Sequence, residues 1–400
     1  MSELVHTLND VVDHGRIAVC CGSGGVGKTT TAAVIAIEGA RRGRRAVVVT
    51  IDPAKRLANA LGLDALANEP RQIDPARWDP DDDRVAGGEL SAMMLDTKST
   101  FDGLVTRYAD SPAQAQRILA NNFYRNISGA LSGTQEYMAM EKLHELHEDG
   151  GYDLIVVDTP PSRHALDFLD APARLLRLLN NPIFRVLMVP TRTYLKIAGA
   201  AVQAFIRTVS RVVGAEVVDD IVTFFRSFEG MEEGFRTRAA RVVEILKQNE
   251  TRFVLVTSPR RDAIEEARYF AEQIGNHDLA VDALVVNRVH PRFGTEMSAG
   301  LRARAASLRD LEFSRRTEQD ARDRLAARYQ NLAEFNEIAE RERAYIETVR
   351  VRTRSAGVAF VPYLPHDVHD FTALAEIGRI LFAPADIQAD IAARLPGSGE

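Results

Sequence analysis

The sequence predicts an α/β protein: a doubly wound, mostly parallel sheet forming a phosphate-binding core, with an inserted helical subdomain. Three observations predict it. Short, almost wholly apolar runs recur at residues 17–21, 46–49, 90–96, 154–158, 253–257, 283–287 and 357–361, the pattern of strands buried on both faces. Helical sequence separates most of them, as parallel βαβ units require. The first run leads into Gly22-Ser23-Gly24-Gly25-Val26-Gly27-Lys28-Thr29-Thr30 and then into a helix rich in Ala, Val and Ile up to Ala40. This fits the spacing G-x-x-x-x-G-K-[ST] in the strand–loop–helix context that the motif needs.

Each part of that loop has a chemical reason. Glycines let backbone N–H groups turn inward on phosphate oxygens, and the helix N-terminus adds a field that favours an anion. Lys28 places a point charge on β- and γ-phosphates, and the Thr29 hydroxyl is positioned to ligate Mg²⁺. ATP with Mg²⁺ is the expected ligand.

The remaining elements follow in order. The basic turn 41–45 reads as helix capping rather than nucleic-acid binding. The second strand delivers Asp52, followed by Pro53 and Ala54. A carboxylate there can orient or deprotonate an attacking water and contribute to the metal shell; its alternative role is to cap the following helix. Residues 63–88, rich in Asp, Pro and Gly, read as a surface loop. Helical sequence from 97 to 149 breaks at residues 127–136. The run ending in Asp158 matches a buried strand that presents a carboxylate to Mg²⁺, and the polar loop 159–166 after it suits a sensor of hydrolysis; His164 reads as a loop-shaping or surface residue. Residues 171–247 read as several helices, with an amphipathic stripe over 195–213 that is a subdomain core or a partner groove. Asn287 ends another strand, where its amide can pair with an adenine edge or simply shape a turn. Residues 291–355, with both charge signs mixed, read as one or two solvated helices, a candidate hairpin. The expected organisation is core at 1–96, helical segment 97–150, core 151–170, helical subdomain 171–250, core 251–290, charged insertion 291–356 and core 357–400.

Composition excludes several classes. A chain of 400 residues with 46% hydrophobic and 26% charged residues is ordinary for a globular protein. Its formal charge of −6 gives no overall attraction to nucleic acid or anionic lipid. The two cysteines, Cys20 and Cys21, are adjacent in the first strand and supply neither a disulfide framework nor a thiolate zinc site. No basic segment followed by an apolar core opens the chain, and no window of about 18 uninterrupted apolar residues occurs. The expected location is cytoplasmic, peripheral to a membrane only through a client.

Taken together, the motifs resemble the anion-transporting ATPase family of arsenical-pump and tail-anchored-protein targeting ATPases. The resemblance rests on 22–30, on Asp52-Pro53-Ala54 followed by Leu57, on Ser132-Gly133-Thr134-Gln135-Glu136, on 158–166, on Val286-Asn287 and on Val361-Pro362. It implies that Asp52 positions the hydrolytic water, that Asp158 lies near Mg²⁺, and that Asn287 with Pro362 forms the adenine pocket. It also implies a dimer closing around two ATP molecules and a hydrophobic, protein or membrane-protein client. Two departures qualify it. Ser23 stands where the family's loop carries a lysine that reaches across the dimer to the partner's phosphates, as an arginine finger does. A homodimer should then hydrolyse ATP slowly, and a heterodimer with a lysine-bearing paralogue would restore this chain's own site. The cysteines of the family's zinc bridge and arsenite site have no counterparts beyond Cys20 and Cys21, so no zinc bridge is expected. Two other readings remain: a nucleotide-binding scaffold subunit with little hydrolysis of its own, and a partition or septum-site type ATPase. The large helical insertion and the lack of a strong C-terminal amphipathic membrane helix count against the second.

Overall fold

A computed structural model describes residues 7–52, 56–80, 85–127, 134–160, 170–171, 174, 177, 214–227, 230–353, 356–368, 370–384 and 387–388. Among them, eight strands form one sheet in the order β3-β4-β2-β5-β1-β6-β7-β8. The strands are β1 (Ile17–Cys21), β2 (Arg45–Thr50), β3 (Arg71–Gln72), β4 (Glu89–Met94), β5 (Leu154–Asp158), β6 (Thr251–Thr257), β7 (Ala283–Val289) and β8 (Gly357–Pro362). All pairings are parallel except β3 with β4. The doubly wound parallel sheet is therefore as expected.

Alternate residues of each central strand enter two different cores, which is why the strands read as continuous apolar runs. On one face lie Val19, Val47, Val157, Leu255 and Leu284. On the other lie Ala18, Val48, Val156, Val254 and Val285. The adjacent cysteines divide accordingly, Cys21 to the first core and Cys20 to the second. The second face is covered by α1 (Leu8–His14), α2 (Lys28–Arg41), α3 (Arg56–Ala60), α4 (Pro75–Trp78) and, near the C-terminus, a helix at Phe371–Leu381. The first face carries α5 (Thr97–Tyr108), α6 (Pro112–Ala120), α7 (Asn122–Ile127), α8 (Thr134–Glu148), α9 (Ala215–Ser227), α10 (Glu232–Lys247) and α11 (Arg261–Asn276). Phe224 of α9 stacks on Tyr124 of α7 at 6.0 Å, and buried Glu141 of α8 pairs with Arg238 of α10 at 2.6 Å.

One expectation needs correction, and several fall outside the described residues. Residues 63–88 are not simply a surface loop. They contain β3 and α4, and they bury Leu66, Ile73 and Trp78 in the core, with Trp78 Nε1 donating to Ile73 O at 3.2 Å. Their Asp, Pro and Gly content marks the turns, while three apolar residues without a period do not announce an element. The short α1, closed by a Thr7–Asp10 capping box, has too few residues to show a period. Pro53, Ala54, residues 128–133, His164 with residues 161–169, the stripe at 195–213 and the tail from 389 lie outside the described residues.

The charged insertion is a hairpin of α12 (Ser298–Arg309) and α13 (Arg316–Arg350), inserted between neighbouring strands β7 and β8. At about 1.5 Å per residue, α13 is roughly 52 Å long. One face of α13 grips the backbone that leaves β7. Asn336, wholly buried, accepts from Phe293 N (2.9 Å) and donates to Phe293 O and Glu296 O (both 3.1 Å). Glu340 accepts from Ser298 N (2.8 Å) and Oγ (2.6 Å), supplying the cap that α12 otherwise lacks. Glu342 accepts from His290 N at 2.9 Å. The final helix, α14 (Phe371–Leu381), is capped by Asp370.

Asn336→Ala would leave three part-buried backbone groups without their partner, a loss of about 1–3 kcal/mol. We expect chemical denaturation to register that loss and hydrogen exchange to accelerate selectively over residues 290–298. Unchanged protection there would refute the grip assigned to Asn336.

Candidate nucleotide site

The glycine loop joins the C-terminal end of β1 to α2 at the centre of the sheet, where open α/β sheets bind ligands. Two glycines are required by space as well as by dihedral. At Gly22 (φ 146) an added Cβ would lie 2.0 Å from Val256 O, and at Gly27 (φ 99) it would lie 2.3 Å from Asn287 Nδ2. Gly27 caps α2 without a side-chain hydrogen bond, so the first helical N–H groups stay available to an anion. Lys28 is buried, and its ammonium donates to Ser23 O at 2.8 Å across the loop. Burial holds its pKa below the ordinary lysine value, opposed by the nearby charge of Asp158.

The carboxylate of Asp158 is the point on which the neighbouring strands converge. In register, Asp158 lies beside Cys20 of β1 and Thr50 of β2. Its Oδ2 accepts from Thr29 Oγ1 (2.8 Å) and Thr50 Oγ1 (2.9 Å). Its Oδ1 is buried and has no hydrogen-bond partner. Burial pushes the carboxyl up to about 6, against the lowering effect of both threonine hydroxyls and Lys28. An orphaned oxygen on a buried carboxylate, beside a threonine hydroxyl and a phosphate-loop lysine, is a donor set that suits a hard divalent cation sharing phosphate ligands. Among the described residues no cluster of three acidic, histidine or cysteine side chains forms a self-contained metal site. A magnesium ion here would draw on Thr29, Asp158 and the nucleotide itself.

Asp52 sits beside this centre, buried, with Oδ2 at 3.3 Å from Arg56 Nη1. Its N–H donates to Thr50 Oγ1 (3.2 Å), so one hydroxyl links the Asp52 backbone to Asp158. Gln135 of α8 donates to Ile51 O at 2.6 Å, tying the helical layer to the same turn. Neither Thr50 nor this use of Gln135 was anticipated. Thr50 has no motif of its own, and only the pairing of β2 with β5 reveals it.

A cavity of about 520 Å³ extends from Ser23, Gly24, Gly25 and Val26 toward the ends of β6, β7 and β8. Arg288, His290, Glu342 and Tyr363 also line it. His290 stacks on Tyr363 at 5.4 Å, and its Nδ1 lies 2.6 Å from Glu342 Oε1. The two residues expected at the adenine pocket are Asn287 and Pro362. Asn287 donates Nδ2 to Val26 O at 2.9 Å, bracing the phosphate loop, and Pro362 is opposite Val289 at the end of β8. The residues that follow each of them, Arg288 and Tyr363, line the cavity. Both cysteines are buried with thiols pushed up by desolvation, to about 12 for Cys21, so neither is a thiolate at neutral pH.

The profile of the anion-transporting ATPase family matches residues 15–307. ATPase GET3 of Phaeosphaeria nodorum is 24% identical over 299 residues, covering 72% of this chain and 81% of that protein. ATPase GET3 of Malassezia globosa is 24% identical over 286 residues, 71% of this chain and 76% of its own. Protein Rv2184c of Mycobacterium tuberculosis is 34% identical over a shorter stretch of 163 residues, 40% of this chain and 37% of its own.

Asp158 gives a pH test. Its folded pKa, about 6, lies above the ordinary 3.8. The folded state therefore binds the proton more tightly, and stability falls as pH rises from about 4 to about 6. In the nucleotide-free chain this ionisation should cost on the order of 3 kcal/mol. Asp158→Asn keeps an oxygen for both threonines and removes the charge. We expect it to exceed the wild type in stability at pH 7.5 and to lose that margin toward pH 4. A margin that does not change with pH would show that the carboxylate is not ionised at a desolvated site.

Proposed function

The chain belongs to the anion-transporting ATPase family and is an ATPase; from that premise we propose a Mg²⁺-dependent dimeric switch whose helical layer acts on a hydrophobic protein or membrane-associated client. The observation that carries this reading is the Asp158 carboxylate, with one oxygen held by Thr29 and Thr50 and the other buried without a partner. Magnesium would supply charge neutralisation on the β- and γ-phosphates. In this reading Gly22 to Thr30 cradle the phosphates, Lys28 releases Ser23 O to meet them, and Thr29 with Asp158 holds the metal. Asp52, placed on the β2 side of Asp158, orients the attacking water and accepts its proton.

The route from nucleotide to helical layer runs through two contacts described above. Thr50 joins the turn after β2 to Asp158, and Gln135 joins the same turn to α8. A shift of that turn on loss of the γ-phosphate would move α8 and the helices packed on it. Among the described residues no helix is long and apolar enough to cross a membrane, and a client-bound association is the form of membrane contact proposed.

A second reading has its own support. Ser23 is buried, and its Oγ has no hydrogen-bond partner. A short hydroxyl cannot carry charge to a facing subunit, so we propose that full turnover needs a lysine-bearing partner. Alone, this chain would then be a slow ATPase or a nucleotide-binding scaffold.

Steady-state hydrolysis separates these readings. We expect slow turnover for the wild type, a rise of at least tenfold for Ser23→Lys, and a loss of about 10²-fold or more for Asp52→Asn. Fast wild-type turnover that Ser23→Lys leaves unchanged would eliminate the lysine-bearing partner. Full activity in Asp52→Asn would remove Asp52 from the water-activating role.

A further inference from the structure

We propose that Arg288 is a nucleotide-binding residue whose guanidinium pairs with the phosphates of the ATP held by the Gly22–Thr29 loop. This rests on the nucleotide reading above and adds to it a cation that no motif supplies.

The first observation is backbone geometry. Arg288 has φ 61 and is one of only two non-glycine residues with positive φ among those described. For a long side chain this conformation is unfavourable and persists only where its surroundings impose it. The cause is a bulge. Asn287 pairs with Val361 and Val289 pairs with Pro362, with a register shift between them. Val286 and Val289 consequently enter the same core face although they are three residues apart. The extra residue is released from strand alternation, as bulges near functional sites commonly achieve. Without the bulge, position 288 would share the buried face of Val286, where a guanidinium would be desolvated. Glycine would meet the backbone requirement without strain, so the arginine side chain calls for a reason of its own.

The second observation is charge. Arg288 lines the same cavity as Ser23, Gly24, Gly25 and Val26. The other basic side chains lining it are engaged. Arg260 is paired with Asp262 at 2.8 Å, and His290 with Glu342 at 2.6 Å. Among the described residues the Arg288 guanidinium has no hydrogen bond or ion pair. An unpaired guanidinium that shares a cavity with a phosphate-binding loop is suited to a polyanion, and its planar fork matches phosphate oxygens bidentately.

The bulge also makes the test clean, because Arg288→Gly removes the charge and relieves the backbone. We expect this variant to be at least as thermally stable as the wild type and to bind MgATP about tenfold more weakly by calorimetry. Adenosine binding, followed by saturation-transfer NMR, should be unchanged, and Arg288→Lys should recover part of the MgATP affinity. Raising salt should weaken MgATP binding less in Arg288→Gly than in the wild type. Wild-type MgATP affinity in Arg288→Gly, or equal weakening for MgATP and adenosine, would overturn phosphate pairing while leaving the nucleotide site intact. A wild-type chain that binds no MgATP would overturn the nucleotide reading itself, and Lys28→Ala provides the matching loss-of-site control.

Discussion

Burying a carboxylate at the end of a central strand is unfavourable unless charge or hydrogen bonds compensate it. At Asp158 the compensation is incomplete. Two threonine hydroxyls serve one oxygen, Lys28 contributes only its field, and the other oxygen is left bare. The surroundings are consistent with a centre built for a ligand that brings positive charge. The threonines come from two different segments, one opening α2 and one closing β2, so the same carboxylate also fixes the relative positions of the phosphate loop and the turn that carries Asp52. Removing or moving the oxygen that both threonines share would loosen both at once.

The strands place this centre, and the helices connect to it from two directions. Toward α8 the link is short and polar, through Gln135 and the Ile51 carbonyl. Toward the charged hairpin it passes along the cavity, through His290 and Glu342. The hairpin is therefore not a solvated ornament. Its polar residues at 336, 340 and 342 are spent on the backbone that leaves β7, the same segment that carries Arg288. The family match ends at residue 307, within α12, so the arm that does this gripping lies beyond it.

The sheet was legible because each central strand is buried on both faces and needs apolar residues at successive positions. Gly22, Gly27 and Lys28 were legible because close backbone approach and phosphate charge restrict residue choice, and Asp158 because it ends an apolar run. Thr50 was not, since its partner is fixed by pairing across β2 and β5 and not by neighbours in sequence. The same holds for the brace that Asn287 gives the loop: its amide donates to Val26 O beside Gly27, a contact set by how β7 approaches the loop and not by sequence neighbours. A bulge of one residue moved the cavity lining to Arg288, a displacement that no periodicity records. Trp78 and Ile73 were hidden among turn residues because only a few apolar contacts anchor that segment.

The hairpin has a geometric consequence. From Glu342 to the start of α13 at Arg316 is 26 residues, and from Glu342 to its end at Arg350 is 8, roughly 39 Å against 12 Å at about 1.5 Å per residue. The grip on the β7 loop thus sits off-centre on α13, with helix lengths of about three to one on its two sides. The end of the hairpin, where Leu311 and Phe313 are exposed, therefore stands roughly 39 Å along the helix from the loop that holds it.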